Sequence, residues 1–151
     1  MSSTAIPRGV RNNNPGNIDY NKANDWQGQL GLEERTTGAR FARFDSPENG
    51  IRALAKLLLN YRGKPGTPNV GQEGIDTVQE IINRWAPGHE NNTAAYVAAV
   101  SKSIGKRSVD SLNLRDPDLL LGLVSAIIVH ENGSMPYATA VVREGVRRAL
   151  A

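Results

Sequence analysis

One stretch limits what this chain can become: LLLGLVSAIIVHENGSMPY, from Leu119 to Tyr137. Its first part is apolar on nearly every side, so a helix built from it belongs inside a protein rather than on its surface. Asp116 is a good N-cap and Pro117 a good first helical residue. The apolar run stops at His130-Glu131-Asn132-Gly133, where Gly133 or Asn132 can take the left-handed conformation that closes a helix. The run from Leu119 to Val129 is too short for a bilayer, which takes roughly 20 residues. The rest of the chain must therefore cover it, and no membrane insertion is expected.

The pattern leaves one carboxylate, Glu131, where a buried helix emerges. A helix C-terminus carries partial negative charge, and apolar neighbours desolvate a charged group. Both effects favour the protonated carboxyl, the form a general acid needs near neutral pH. The plainer reading of the same position is a helix-end glutamate pointing into water.

With 151 residues, 39% of them hydrophobic and 22% charged, the chain is long and apolar enough for one domain with a real core. It has no cysteine, which excludes a disulfide framework and a thiol nucleophile. Its 18 basic and 15 acidic residues give a net charge of +3, which suits an anionic polymer without selecting one. Arg143, Arg147 and Arg148 cluster near the end and read as a solvated helix face. No helix-turn-helix pattern with a basic recognition helix stands out, so nucleic acid is not an expected partner. The opening MSSTAIPRGV has no apolar h-region, so no signal peptide is visible.

Taken in order, residues 8 to 44 read as loop and short strand. RGVRNNNPGNIDY is dense in Asn, Gly and Pro, the residues of turns and left-handed backbone. Its amides can fix an irregular loop or meet a polar ligand. WQGQLGLEERTTGARFARF then predicts one or two small antiparallel hairpins. Ser46 caps the first clear helix, with Pro47 at its first position and Ile51, Leu54, Ala55, Leu58 and Tyr61 on one face. Thr77 and Glu80 are spaced as a capping box before a helix that turns Val78, Ile81, Ile82 and Trp85 inward. Asn92 can cap the next helix, which carries Ala95, Tyr96, Ala99 and Val100 and ends near Gly105. After the central helix, a last one from about Ala138 to Leu150 has Val141, Val142, Val146 and Leu150 as its stripe. The expectation is five helices behind a small irregular β region, in one domain spanning 1–151.

Most chemistries find no support. His89 and His130 are the two histidines and have no ligand spacing, so no metal is expected. No glycine-rich phosphate loop follows a strand, no nucleophile elbow appears, and no cofactor is implied. Carboxylate chemistry remains. Glycoside cleavage needs one protonated carboxyl for the leaving oxygen and a second group that stabilises positive charge or activates water. Amides and aromatic faces line such clefts. Glu131, followed by Asn132, Ser134 and Tyr137, meets the first need. The loop with Asn12, Asn14 and Asn17, together with Trp26 and Trp85, meets the binding need. For each aromatic, a place in the core accounts for the residue as well as a place in a cleft.

Three blocks resemble a family of small bacteriophage and bacterial proteins with a lysozyme-like domain: RGVRNNNPGNI, FARFDSPENGIRAL with the downstream Tyr61, and IINRWAPGHENNTAAYVAAV. The closing HENGSMPY is similar to the turn that carries the catalytic glutamate in lytic transglycosylases and goose-type lysozymes. The resemblance implies a mainly helical, lysozyme-like fold with a small N-terminal β-hairpin region. It also implies a peptidoglycan lytic transglycosylase or muramidase in which Glu131 is the acid, then the base. Glu90, Asn91 and Tyr96 join the substrate-contact candidates through the third block, although Glu90 can also serve as a cap. In ordinary lysozyme-like domains the catalytic glutamate precedes the hairpin; here it lies near the other end. A circular permutation would reconcile the two orders, and would place the second catalytic group in the β region. Glu33 is the first choice there, with Glu34, Asp19 and Asp25 as alternatives, or a solvated hairpin face for Glu33 and Glu34. Many transglycosylases use no second carboxylate. The implied partners are peptidoglycan glycan strands and phage virion proteins, reached in the periplasm after delivery by a virion, holin or secretion system. The alternative is a non-enzymatic virion or tail component that keeps the fold.

Overall fold

The computed structural model describes residues 6–68, 70–88 and 92–151. The chain is mainly helical with a small two-stranded antiparallel sheet. The central helix, α5 (Pro117–Asn132), forms as its sequence dictates: the Asp116 side chain accepts from the Asp118 N–H, Pro117 opens the first turn, and Gly133 closes the last with φ +82°. Leu120, Leu123, Val124, Ala126, Ile127 and Ile128 are buried. Each of the larger ones contributes about 1.5–3 kcal/mol by leaving water. Burial is not all round, however. Val129 and His130 are exposed and Leu121 is half-buried, because the helices at Arg8–Arg11, Pro47–Asn60, Thr93–Ile104 and Thr139–Leu150 pack against α5 and leave part of its surface open. Among the described residues no helix is long and apolar enough to cross a membrane.

The other long helices assemble around this one. In α2 (Pro47–Asn60) the Ser46 side chain accepts from the Asn49 N–H, and Ile51, Leu54, Ala55 and Leu58 are wholly buried, with Tyr61 just beyond in a short 3-10 turn. In α3 (Val78–Trp85) the Thr77 hydroxyl accepts from the Glu80 N–H. The Glu80 carboxylate differs from a simple capping box: it accepts from the Thr77 hydroxyl at 2.9 Å and from the Thr67 N–H at 2.6 Å. It thereby ties the preceding loop to the helix start, and is buried in doing so. Asn92 caps α4 (Thr93–Ile104) by accepting from the Ala95 N–H, and Gly105 ends it.

One expectation is corrected here and one is met. Arg8–Arg11, read as loop, forms a single helical turn, α1. The β region is one hairpin, β1 (Gln29–Leu32) with β2 (Ala42–Phe44), and a bulge between Gln29 and Gly31 shifts its register. Its buried pair, Ala42 and Phe44, alternates with Arg43. Phe41 precedes the strand and stacks instead under the Arg8 guanidinium, 4.4 Å from its ring centre.

In α6 (Thr139–Leu150) the buried stripe is Val142, Gly145, Val146 and Ala149, rather than one running through Val141 and Leu150, which are half-buried. Gly145 sets this orientation. A Cβ there would stand 2.4 Å from Ile51 Cγ2 and 3.0 Å from the Glu48 carbonyl oxygen, so α6 and α2 approach over a bare backbone. In an exposed helix, replacing glycine by alanine stabilises by about 1 kcal/mol. Here Gly145→Ala should destabilise by about 1–2 kcal/mol, since Ile51 has no space to retreat into. Urea unfolding of the two proteins gives the sign directly.

Candidate active site

Glu131 sits in the last turn of α5, one residue before its end. Its carboxylate is held from two sides. The Asn17 Nδ2 donates to Oε1 at 3.0 Å, and the Tyr96 hydroxyl donates to Oε2 at 2.9 Å. Neither donor is charged. Asn17 reaches the helix end because its backbone is left-handed, φ +51°, a conformation asparagine tolerates better than most residues. Tyr96 comes from α4 and is 1% exposed, with its ring stacked on His130 at 3.7 Å between centres. Burial first, and then the charge of Glu131, raise the Tyr96 hydroxyl far above the usual phenol range, so it remains a donor. Trp85, nearby, acts weakly in the opposite direction. Contacts thus run from α4 to both His130 and Glu131 at the end of α5.

A second set of bonds fastens the N-terminal loop to the same helix end. Asn132 Nδ2 donates to the Pro15 carbonyl and to the Ile128 carbonyl of its own helix, each at 2.8 Å. Between loop, hairpin and helix ends lies a cleft of about 410 Å³. Glu131, Asn17 and Trp85 line it, with Arg84, Tyr61 and Arg40 on the walls and Asp19, Asn21 and Asn24 at the polar rim. Asp19 pairs with Arg40 at 2.5 Å and bridges to Phe41 across the strands.

The residues proposed from sequence fall into distinct groups. Glu131, Asn17 and Trp85 share the cleft, and Tyr96 stands behind it as the support of Glu131. Asn12 and Asn14 are buried and have other work. Asn14 donates to the Ile18 and Ala42 carbonyls and accepts from the Ile18 N–H, while Asn12 donates to Glu33. They shape the loop and its junction with the hairpin, because a buried amide must satisfy its own donors and acceptor. Tyr137 and Trp26 pack against the core; burial raises the Tyr137 hydroxyl to about 12. Glu90 and Asn91 lie outside the described residues. Sequence reasoning missed Arg84. A basic residue in a last helical turn is ordinary, and its one local signal was adjacency to Trp85.

No family model matches the chain. It is 35% identical over 140 residues to Protein P5 of Pseudoalteromonas phage PM2, across 91% of this chain and 79% of that protein. The chain belongs to the Protein P5 family.

In this P5-family chain Glu33 is placed apart from Glu131. Its side chain is 1% exposed. The Arg8 guanidinium grips both its oxygens, through Nε at 2.9 Å and through Nη2. The Arg40 and Phe41 N–H groups and the Asn12 amide donate at 2.9, 3.0 and 3.1 Å. Arg8 above all, then those backbone and amide donors, outweigh burial and hold this carboxyl well below the usual range. The structure therefore corrects the choice of Glu33 as second catalytic group, and the solvated alternative with it: every oxygen is occupied, and the residue locks α1 to the hairpin. Glu34, by contrast, is 80% exposed and reaches Arg43 at 3.4 Å.

A depressed carboxyl contributes stability that is present above the unfolded value and lost as pH falls through the folded one. Glu33→Gln should therefore cost on the order of 2–3 kcal/mol at pH 7. The gap to wild type should narrow as pH drops below the unfolded glutamate value of about 4.3. Denaturant titrations at several pH values test both.

Proposed function

We propose that the protein is a peptidoglycan-degrading glycosidase on a lysozyme-like helical domain, cleaving the β-1,4 linkage between N-acetylmuramic acid and N-acetylglucosamine. The observation that carries this reading is the setting of Glu131: a carboxyl at a helix end, fixed by two neutral donors, facing a polar cleft with an indole on its wall. A protonated Glu131 gives its proton to the glycosidic oxygen as the C1–O bond breaks. The carboxylate so formed is then stabilised by the Asn17 amide and the Tyr96 hydroxyl. It next accepts the proton of the hydroxyl that captures C1, from water or from the sugar itself. Trp85 offers an apolar face to a sugar's C–H side, and Asn21 and Asn24 offer amides to its hydroxyls.

The permuted order of a lysozyme-like domain draws support from the same place. Glu131 and the Asp19–Phe41 bridge of the hairpin region border one cleft although they lie far apart in sequence. The phage origin of Protein P5 supports delivery to the wall with a virion, and favours a wall-binding virion component as the second reading.

Mass spectrometry of purified peptidoglycan after incubation decides between them. Wild type should release anhydro- or reducing-end fragments and Glu131→Gln none, at a melting temperature within a few degrees because one hydrogen bond is worth about 1 kcal/mol. Fragments from the mutant would remove Glu131 from the mechanism, and none from either protein would favour the virion component. Tyr96→Phe keeps the ring and its stacking on His130 while removing the hydroxyl. Its kcat should fall about 10–100-fold, the worth of a hydrogen bond to a charged group, with KM little changed.

A further inference from the structure

We propose that Arg84 reads a carboxylate on the bound glycan, making the cleft selective for an anionic saccharide over a neutral one. This deepens the glycosidase reading and rests on it. Arg84 and Glu131 line the same cleft. Arg84 lies over the Tyr61 ring, 5.4 Å from its centre. Tyr61 is 8% exposed and so a fixed platform, and burial raises its hydroxyl to about 12, leaving the ring neutral. A guanidinium held over an aromatic ring keeps N–H groups for a planar anion.

The charge arrangement of the cleft supports the assignment. Its other guanidinium, Arg40, is already paired with Asp19. Among the described residues no carboxylate pairs with Arg84, and Glu131 is held by amide and phenol rather than by a cation. Among the described residues, one cleft therefore presents a cation with no carboxylate partner and a carboxyl with no cationic partner. The carboxyl is accounted for by proton transfer. The cation is accounted for by a ligand that brings a negative charge, and bacterial wall glycan carries carboxylates on its lactyl groups and on its peptides.

The test compares fragment release from peptide-free glycan strands, from peptide-bearing strands, and from both after their carboxylates are amidated. Amidation should lower the wild-type kcat/KM about 10–100-fold, as expected for losing a charge-assisted bidentate pair. The strand type showing the drop identifies which carboxylate is read. Arg84→Gln should be nearly indifferent to amidation, and Arg84→Lys, which keeps the charge without the fork, should fall between. A wild type indifferent to amidation, or an Arg84→Gln as sensitive as wild type, overturns the inference. If wild type releases no fragments from any strand, the glycosidase reading fails. The inference is then read from binding of fluorescently labelled strands: tighter binding of the carboxylate form, confined to wild type, sustains it, and equal affinities overturn it. Thermal melts of the variants show that each is folded.

Discussion

The docking of the amide-rich N-terminal loop against the end of α5 is the contact on which the candidate site depends. Buried or half-buried asparagines both shape the loop and dock it. Asn132 holds the Pro15 carbonyl, Asn14 holds Ile18 and Ala42, and Asn12 reaches Glu33. Inside a protein such bonds are costly to leave unmade, so the amides specify one arrangement of loop, hairpin and helix. Only in that arrangement does Asn17 meet Glu131, a residue 114 positions away. The loop backbone also passes very close to α2, where a Cβ on Gly50 would collide with the Asn13 carbonyl. The loop is therefore held between two helices.

Charge is divided between two tasks. Glu33 is surrounded by a guanidinium, two backbone N–H groups and an amide, and is committed to the ionised form. Glu131 receives two neutral donors and keeps access to a cleft. Two glutamates of the same chain are thus fitted for different work by their neighbours alone. A carboxylate fixed by a cation is committed to the fold, whereas Glu131 is positioned by neutral groups at the edge of a cleft.

Much of the fold was legible in the sequence because its signals are local. Ser46, Thr77, Asn92 and Asp116 each accept the hydrogen bond their position predicts. The apolar spacing of α2 and α3 matches the buried faces found. In α6 the expected Val142 and Val146 are buried, but the stripe runs on through Gly145 and Ala149 rather than Val141 and Leu150, because Gly145 has no side chain to betray its burial. The turn at Arg8–Arg11 was hidden by neighbouring Asn, Gly and Pro, whose local preferences favour loops.

The sequence by itself determined that α5 would be buried, where it would end, and that Glu131 would stand at that end. These follow from side-chain hydrophobicity and backbone capping within a single segment. Tertiary structure alone decided which of several acidic and amide side chains share a cleft with Glu131. Asn12, Asn14 and Asn17 are chemically alike and adjacent, yet the first two close on the loop and hairpin while the third faces the carboxylate. Which way an amide points depends on partners brought from distant parts of the chain, and no local pattern encodes them.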